Sequence, residues 1–209
     1  MTRGRGILFQ MEKALAHLRK SDPVMDALIG RVGRYGIRYH EPTFRALARS
    51  IVFQQLNGTA AAAIFDRLEK ACGEVTPENL LRLRMARLRK AGLSERKAEY
   101  VRDLAKHARD GAVDFTAMPS LPDAEVVERL TQVRGIGEWT VHMFLIFALR
   151  RPDVLPVGDY GIRTAMKNLY ALDGLPKPKA MEEIARPWRP WASVASWYLW
   201  RSLDGEAEL

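Results

Sequence analysis

Residues 130–159 read LTQVRGIGEWTVHMFLIFALRRPDVLPVGD, and this stretch decides the reading of the chain. A Gly135-Ile136-Gly137 turn opens directly into an apolar helical run. That run ends at Arg150-Arg151-Pro152, and a loop then delivers a single acidic residue, Asp159. A glycine-lined helix start exposes backbone N–H groups at the positive end of a helix dipole, an arrangement suited to a phosphate. Gly135 and Gly137 are both expected to take conformations that larger residues avoid and to let the backbone approach that phosphate. A carboxylate one helix and one loop later can act on whatever the phosphate anchors.

Outward from this stretch, nearly every segment carries helical periodicity. Residues 42–56 place Phe44, Leu47, Ala48, Ile51, Val52 and Leu56 on one stripe. Asn57-Gly58 breaks that helix, and Thr59 is the expected cap of an Ala-rich helix running to Gly73. Thr76-Pro77 starts a short helix, and Ser94 caps one reaching Asp110. Pro122-Asp123 opens another. Further helices are expected at 137–149, 159–172, 180–185 and 190–202. No alternating strand pattern competes. Pro176-Lys177-Pro178-Lys179 is the best candidate linker. The run 81–90, LRLRMARLRK, reads either as a solvated amphipathic helix or as part of a DNA-facing field.

The 209 residues suffice for one or two small domains, and 47% hydrophobic with 28% charged residues is a globular composition. Lys and Arg number 33 against 25 Asp and Glu, a formal charge of +8 that favours nucleic acid over a membrane surface. The single cysteine, Cys72, excludes an intramolecular disulfide and a four-cysteine iron–sulfur cluster, and reads as a packed core thiol. The four histidines, at 17, 40, 107 and 142, lack zinc-site spacing. No stretch reaches the ~18 apolar residues of a membrane span, so the expectation is no membrane partner and a cytoplasmic, nucleoid-associated place.

The string L-x-x-V-x-G-I-G-x-W-T at 130–140, followed by Asp159, resembles the helix-hairpin-helix, Gly/Pro-loop, aspartate superfamily of DNA glycosylases. Within it, the likeness is to the 3-methyladenine DNA glycosylase II (alkylbase glycosylase) group. Residues 46–62, ALARSIVFQQLNGTAAA, look like that family's first core helix and DNA-wedge loop. Residues 92–100, GLSERKAEY, look like its next loop and helix, and 186–191, RPWRPW, followed by Trp197, like its C-terminal helix. The resemblance covers roughly residues 22–203.

The resemblance implies an all-α, endonuclease III-like architecture of two helical lobes. One lobe, residues 44–151, would carry the wedge and hairpin. The other would comprise 1–43 and 152–209, with the DNA cleft and Asp159 between the lobes. It implies Asp159 as the catalytic carboxylate, and Gly135, Gly137 and Thr140 as phosphate-binding positions. The carbonyls of Thr131, Val133 and Ile136 fall where some members bind Na+ or K+; no cofactor is otherwise required. Leu56, after Gln55, matches the side chain inserted where a nucleotide has flipped out. Trp139 and Trp197 match base-pocket aromatics, with Met143 and Tyr160 beside them and Arg163 as a DNA contact. Trp188 and Trp191 read as packing residues.

Elementary chemistry agrees with those roles. A base must leave the stack before its glycosidic bond can be reached. Cleavage develops positive charge on the sugar, which a nearby carboxylate stabilises. A cationic alkylpurine stacks favourably on indole faces. Bifunctional relatives carry a nucleophilic lysine in the hairpin helix, and here that position is Trp139, so the expected enzyme is a monofunctional hydrolase acting on double-stranded DNA, with a monomer as the default. Two rival readings stay open: a glycosylase for uracil, hypoxanthine or a mismatched base, and a noncatalytic helix-hairpin-helix DNA-binding module. Asp159 can also be a helix N-cap, and capping and catalysis are compatible in one side chain. Gln54 and Gln55 read as either solvated or touching the orphaned strand, and His142 as either a DNA contact or a surface histidine.

Overall fold

The computed structural model describes residues 2–204, with side chains from Gln10 onward. It is all-helical, and no strand occurs among the described residues. The chain divides into two compact units, one formed by residues up to Arg38 together with those from Arg150, the other by Tyr39–Leu149.

The first unit holds α1 (Thr2–Ser21), α2 (Pro23–Val32), α10 (Tyr160–Leu169), α11 (Pro178–Ala185) and α12 (Ala192–Asp204). Periodicity in the sequence singles out no helix before Pro42, so α1 and α2 are additions. Helix α2 starts where it does because Asp22 caps it, accepting from the Val24 and Met25 amides, with Pro23 at the first position. The same carboxylate, 6% exposed, also accepts from the Tyr170 hydroxyl at 2.5 Å and the Trp188 indole at 2.8 Å. One buried acid therefore ties α2 to the ends of α10 and α11. Burial and the Asp22 carboxylate push the Tyr170 phenol far above its ordinary value. Around this network pack Leu18, Met25, Leu28, Ile162, Met166, Trp188 and Tyr198, all essentially inaccessible. Trp188 is thus a core residue.

The Pro/Lys stretch is not a linker. Pro178 opens α11, and the Pro176 carbonyl accepts from Arg163 Nε at 3.1 Å, so the stretch is bound into its own unit.

The second unit holds α3 (Phe44–Phe53), α4 (Gly58–Cys72), α5 (Pro77–Arg82), α6 (Met85–Lys90), α7 (Glu95–Arg109), α8 (Asp123–Thr131) and α9 (Glu138–Phe147). Helix α7 packs against α3, α5 and α6. Its inner face is the expected one, Ala98, Val101, Leu104 and Ala105. Thr43 caps α3, so Pro42 lies outside it. Asn57, not Thr59, caps α4, accepting from the Ala60 amide at 2.8 Å. The basic run 81–90 is not one helix: Leu83 takes an extended conformation (φ −75°, ψ 130°) and separates α5 from α6. Cys72 is half-buried at the end of α4 rather than in the core, and burial raises its thiol pKa.

Candidate active site and nucleic-acid interface

In the second unit, α8 and α9 are joined by the turn 132–137. Gly135 carries φ +84°, a left-handed conformation. A Cβ there would lie 2.1 Å from Tyr100 Cδ2 and 2.4 Å from its Cγ, so the turn is seated on the Tyr100 ring of α7. Two hydrogen bonds to α7 hold the same turn: the Arg134 amide donates to Asp103 (2.9 Å) and its guanidinium to Glu99 (2.9 Å). Gly137 differs from the expectation. It is extended (φ −95°), and a Cβ on it would meet nothing within 4 Å. Its missing side chain leaves open space over the start of α9, which no side chain caps. An external acceptor can therefore approach the first-turn amides, which end at the Thr140 position. The Thr140 side chain itself is buried.

The loop between α3 and α4 meets this turn. Gln54 Nε2 donates to the Gly135 carbonyl (3.0 Å) and lies 3.4 Å from Thr140 Oγ1. Gln54 is a bridge within the unit, where the sequence alone allows either a solvated side chain or a contact to the orphaned strand. Gln55 is exposed with φ +55°, and Leu56 beside it is 41% exposed, an apolar side chain at the tip of a turn. Next to the loop is a cavity of about 540 Å³ lined by Arg49, Phe53, Gln54, Trp139, Thr140 and Met143, among others. It falls in the size range of small-molecule sites. Trp139 (45% exposed), Met143 and Gln55 are thus brought together. Arg49 lies over the Phe53 ring at 3.7 Å. His142 is half-buried and is not among the residues lining this cavity; its Nδ1 atom is buried without a hydrogen-bond partner, and partial burial lowers its pKa.

In the first unit, Asp159 is 8% exposed and caps α10. Its Oδ1 accepts from the Ile162 amide at 2.8 Å and from Trp200 Nε1 at 2.9 Å. Gly161 makes room for this: a Cβ there would lie 3.1 Å from Oδ1 and 3.3 Å from Trp200 Cδ1. Trp197 is placed elsewhere, against Tyr35 (centroids 4.7 Å apart) and the edge of Tyr198 (4.9 Å), with Arg201 over its ring. The indole touching Asp159 is that of Trp200, which sequence reasoning missed. The two tryptophans sit three residues apart on α12, a spacing that lets either take a given face, so pattern alone could not choose between them. Tyr160, 70% exposed, is the first residue of α10. Arg163 is half-buried, and its bond to Pro176 commits part of its guanidinium within the unit.

No group of three or more His, Cys, Asp or Glu residues that could hold a metal occurs among the described residues. The Val133 carbonyl accepts from the Ile136 amide at 3.0 Å. No helix among the described residues is long and apolar enough to cross a membrane.

Residues 48–190 match the HhH-GPD superfamily of base excision DNA repair proteins. The chain belongs to this superfamily. Among relatives of this HhH-GPD protein is DNA-3-methyladenine glycosylase 1 of Schizosaccharomyces pombe, 33% identical over 204 residues, covering 94% of this chain and 89% of the relative. Two solved structures extend the match. The S. pombe 3-methyladenine DNA glycosylase Mag1, in complex with abasic DNA, superposes with a TM-score of 0.81 at 34% identity, over 92% of this chain and 97% of that one. A DNA-3-methyladenine glycosidase from Bacillus halodurans gives 0.84 at 37% identity, over 93% and 91%. The all-α, endonuclease III-like class expected from the sequence is the class observed.

Proposed function

We propose that this HhH-GPD protein is a monofunctional glycosylase that hydrolyses the N-glycosidic bond of alkylated purines, such as 3-methyladenine and 7-methylguanine, in double-stranded DNA. The observation that carries the reading is the fixation of Asp159. A nearly buried carboxyl held by a backbone amide and an indole N–H cannot swing to meet its substrate, so it is pre-organised for charge that develops at one place. As the C1′–N bond breaks, its electron pair leaves with the base, and the carboxylate stabilises the positive sugar. Water then adds at C1′ and loses its proton to Asp159 or to solvent. A purine already cationic from alkylation leaves readily and needs little protonation. The hairpin helix offers Trp139 where a lysine nucleophile would stand, and no lysine occurs in α9, which favours hydrolysis without strand cleavage.

The remaining roles follow in the same spirit. Leu56 fills the gap in the stack, with Gln55 beside it facing the orphaned base. Trp139 and Met143 border the base pocket, with Tyr160 and Trp197 as further aromatics near the substrate and Arg163 as a DNA contact. The amides at Gly135, Gly137 and Thr140 hold a phosphate without reading sequence. A Na+ or K+ ion would be held by the Thr131, Val133 and Ile136 carbonyls. That all-neutral oxygen set suits a monovalent ion, and Val133 would share its carbonyl with the Ile136 amide. The protein would act as a monomer among nucleoid DNA.

The test is release of free base from methylated duplex DNA by the wild type and by Asp159→Asn. Release by the wild type alone supports both the activity and the carboxylate. No release by the wild type, with DNA binding intact, rejects the alkylpurine substrate and directs attention to uracil and hypoxanthine. Equal release by both proteins removes Asp159 from the mechanism.

A further inference from the structure

The turn that presents Leu56 is held from inside by a cation. A helix leaves its last carbonyls without intrahelical partners. At the end of α3, the Ile51 carbonyl accepts from the Gln54 amide (3.4 Å) and the Phe53 carbonyl from the Leu56 amide (3.3 Å). The Val52 and Gln54 carbonyls are taken by one group, Lys97 Nζ, at 2.7 and 2.6 Å. Lys97 comes from the first turn of α7, more than forty residues along the chain. Its ammonium is part-buried, it faces the negative end of the α3 dipole, and burial lowers its pKa. On the other side, the Gln54 side chain is anchored to Gly135 and Thr140 of the hairpin. Directly after these two anchors Gln55 takes φ +55° and Leu56 is exposed.

From this we infer that Lys97 is a positioning residue for base flipping: its ammonium clamps the end of α3 so that Leu56 enters the duplex as a pre-formed wedge. The inference rests on the proposed intercalation by Leu56. A wedge must hold its shape against a base stack that costs a few kcal/mol to open. A floppy turn would lose part of that work to ordering itself on the DNA, whereas a clamped one has been ordered by folding. Gln54 and Lys97 divide the task. The glutamine sets where the turn stands on the hairpin, and the lysine fixes the carbonyls on either side of Phe53.

The test uses the whole protein and a duplex carrying a tetrahydrofuran abasic site with 2-aminopurine as its neighbour, whose fluorescence rises when the wedge unstacks it. Excision from methylated duplex is measured in parallel. Five proteins are compared: wild type, Lys97→Met, Lys97→Arg, Leu56→Ala and the Lys97→Met/Leu56→Ala double variant. Loss of hydrogen bonds from a charged donor predicts a ten- to hundredfold lower single-turnover excision rate for Lys97→Met. Its fluorescence should fall to the Leu56→Ala level, its affinity for the abasic duplex should stay within about threefold of wild type, and Lys97→Arg should recover most of both signals. In the double variant, Leu56→Ala should mask the loss from Lys97→Met. Wild-type fluorescence and excision in Lys97→Met, with Leu56→Ala impaired, would overturn the clamp alone. Unaltered fluorescence and excision in Leu56→Ala would overturn the wedge itself. Parallel loss of fluorescence, affinity and thermal stability in Lys97→Met, unrescued by arginine, would reduce Lys97 to a structural role.

Discussion

Substitution of Gly135 by alanine tests the hairpin most directly, because two separable costs meet there. The first is conformational: φ +84° lies in the left-handed region, which costs a residue with a Cβ about 1–2 kcal/mol. The second is steric. The new methyl would stand 2.1–2.5 Å from three atoms of the Tyr100 ring, a contact that one side or the other must relieve by moving. Overpacking of this kind costs about 1–3 kcal/mol. The total, about 2–5 kcal/mol, corresponds to a fall in melting temperature on the order of 5–15 °C for a chain of this size. The two costs separate in a cycle with Tyr100→Ala, which removes the ring but leaves the backbone strain. The Gly135→Ala penalty should shrink by about 1–3 kcal/mol in that background. Moving the turn also moves the carbonyl that Gln54 grips and the amides proposed to hold a phosphate. Duplex affinity should therefore drop about tenfold while the slope of log K against log salt stays unchanged, since amides displace no counterions. Urea denaturation and fluorescence anisotropy read these effects. Wild-type stability and affinity in Gly135→Ala, or a cycle with no coupling, would refute the account.

Trp200→Phe keeps an aromatic ring but deletes the donor to Asp159 Oδ1, and should slow single-turnover base release about ten- to hundredfold while leaving affinity for abasic duplex within about threefold. A change in rate of less than twofold would remove Trp200 from the positioning of the carboxylate. Asp22→Ala strips an acceptor from two amides, a buried indole and a phenol at once, and should destabilise the first unit by about 3–5 kcal/mol in urea melts. A loss under 1 kcal/mol would show that water replaces the carboxylate. The half-buried ring of His142 sets a pH dependence. Its folded pKa lies below the ordinary 6.5, so the unfolded chain takes up the proton first. Stability should therefore decline as pH falls through about 6.5 and level off once the folded ring protonates. His142→Gln should lessen that decline, and an identical pH profile in the variant would exclude the histidine as its source.

Local chemistry made helix starts in both units legible. Ser94, Thr76 and Asp159 cap helices where a short polar side chain precedes an apolar run, and each accepts from the amide three residues on. The errors at Thr59 and at residues 81–90 are also local. Asn57 offers an equally good acceptor two residues earlier, and the extended Leu83 divides a run whose composition is helical throughout. Helix α1 escaped detection because its described part mixes charged and apolar residues without a clean stripe, and α2 escaped it although Asp22-Pro23 marks its start. The candidate site was legible only where the chain itself supplies the geometry, as in the Gly135 turn and the Asp159 cap.

What the sequence could not reveal are the partners that reach these positions from a distance in the chain. Trp200 meets Asp159 across 41 residues, Gln54 meets Gly135 across 81, and Lys97 meets Gln54 across 43. None of these donors has a local signature, since Trp, Gln and Lys are common in amphipathic helices for other reasons. The division has a physical cause. Backbone groups that must face a phosphate or a sugar need special φ values or missing side chains, and those leave glycines and caps in the sequence. Holding such groups still against a moving substrate needs only one donor at the right place, which any element of the fold can deliver. Under the proposed function, the glycines and Asp159 mark where chemistry is offered, and Trp200, Gln54 and Lys97 mark how firmly. Substitutions of the first kind should reduce binding or abolish the reaction, and those of the second should lower its rate while leaving binding close to intact.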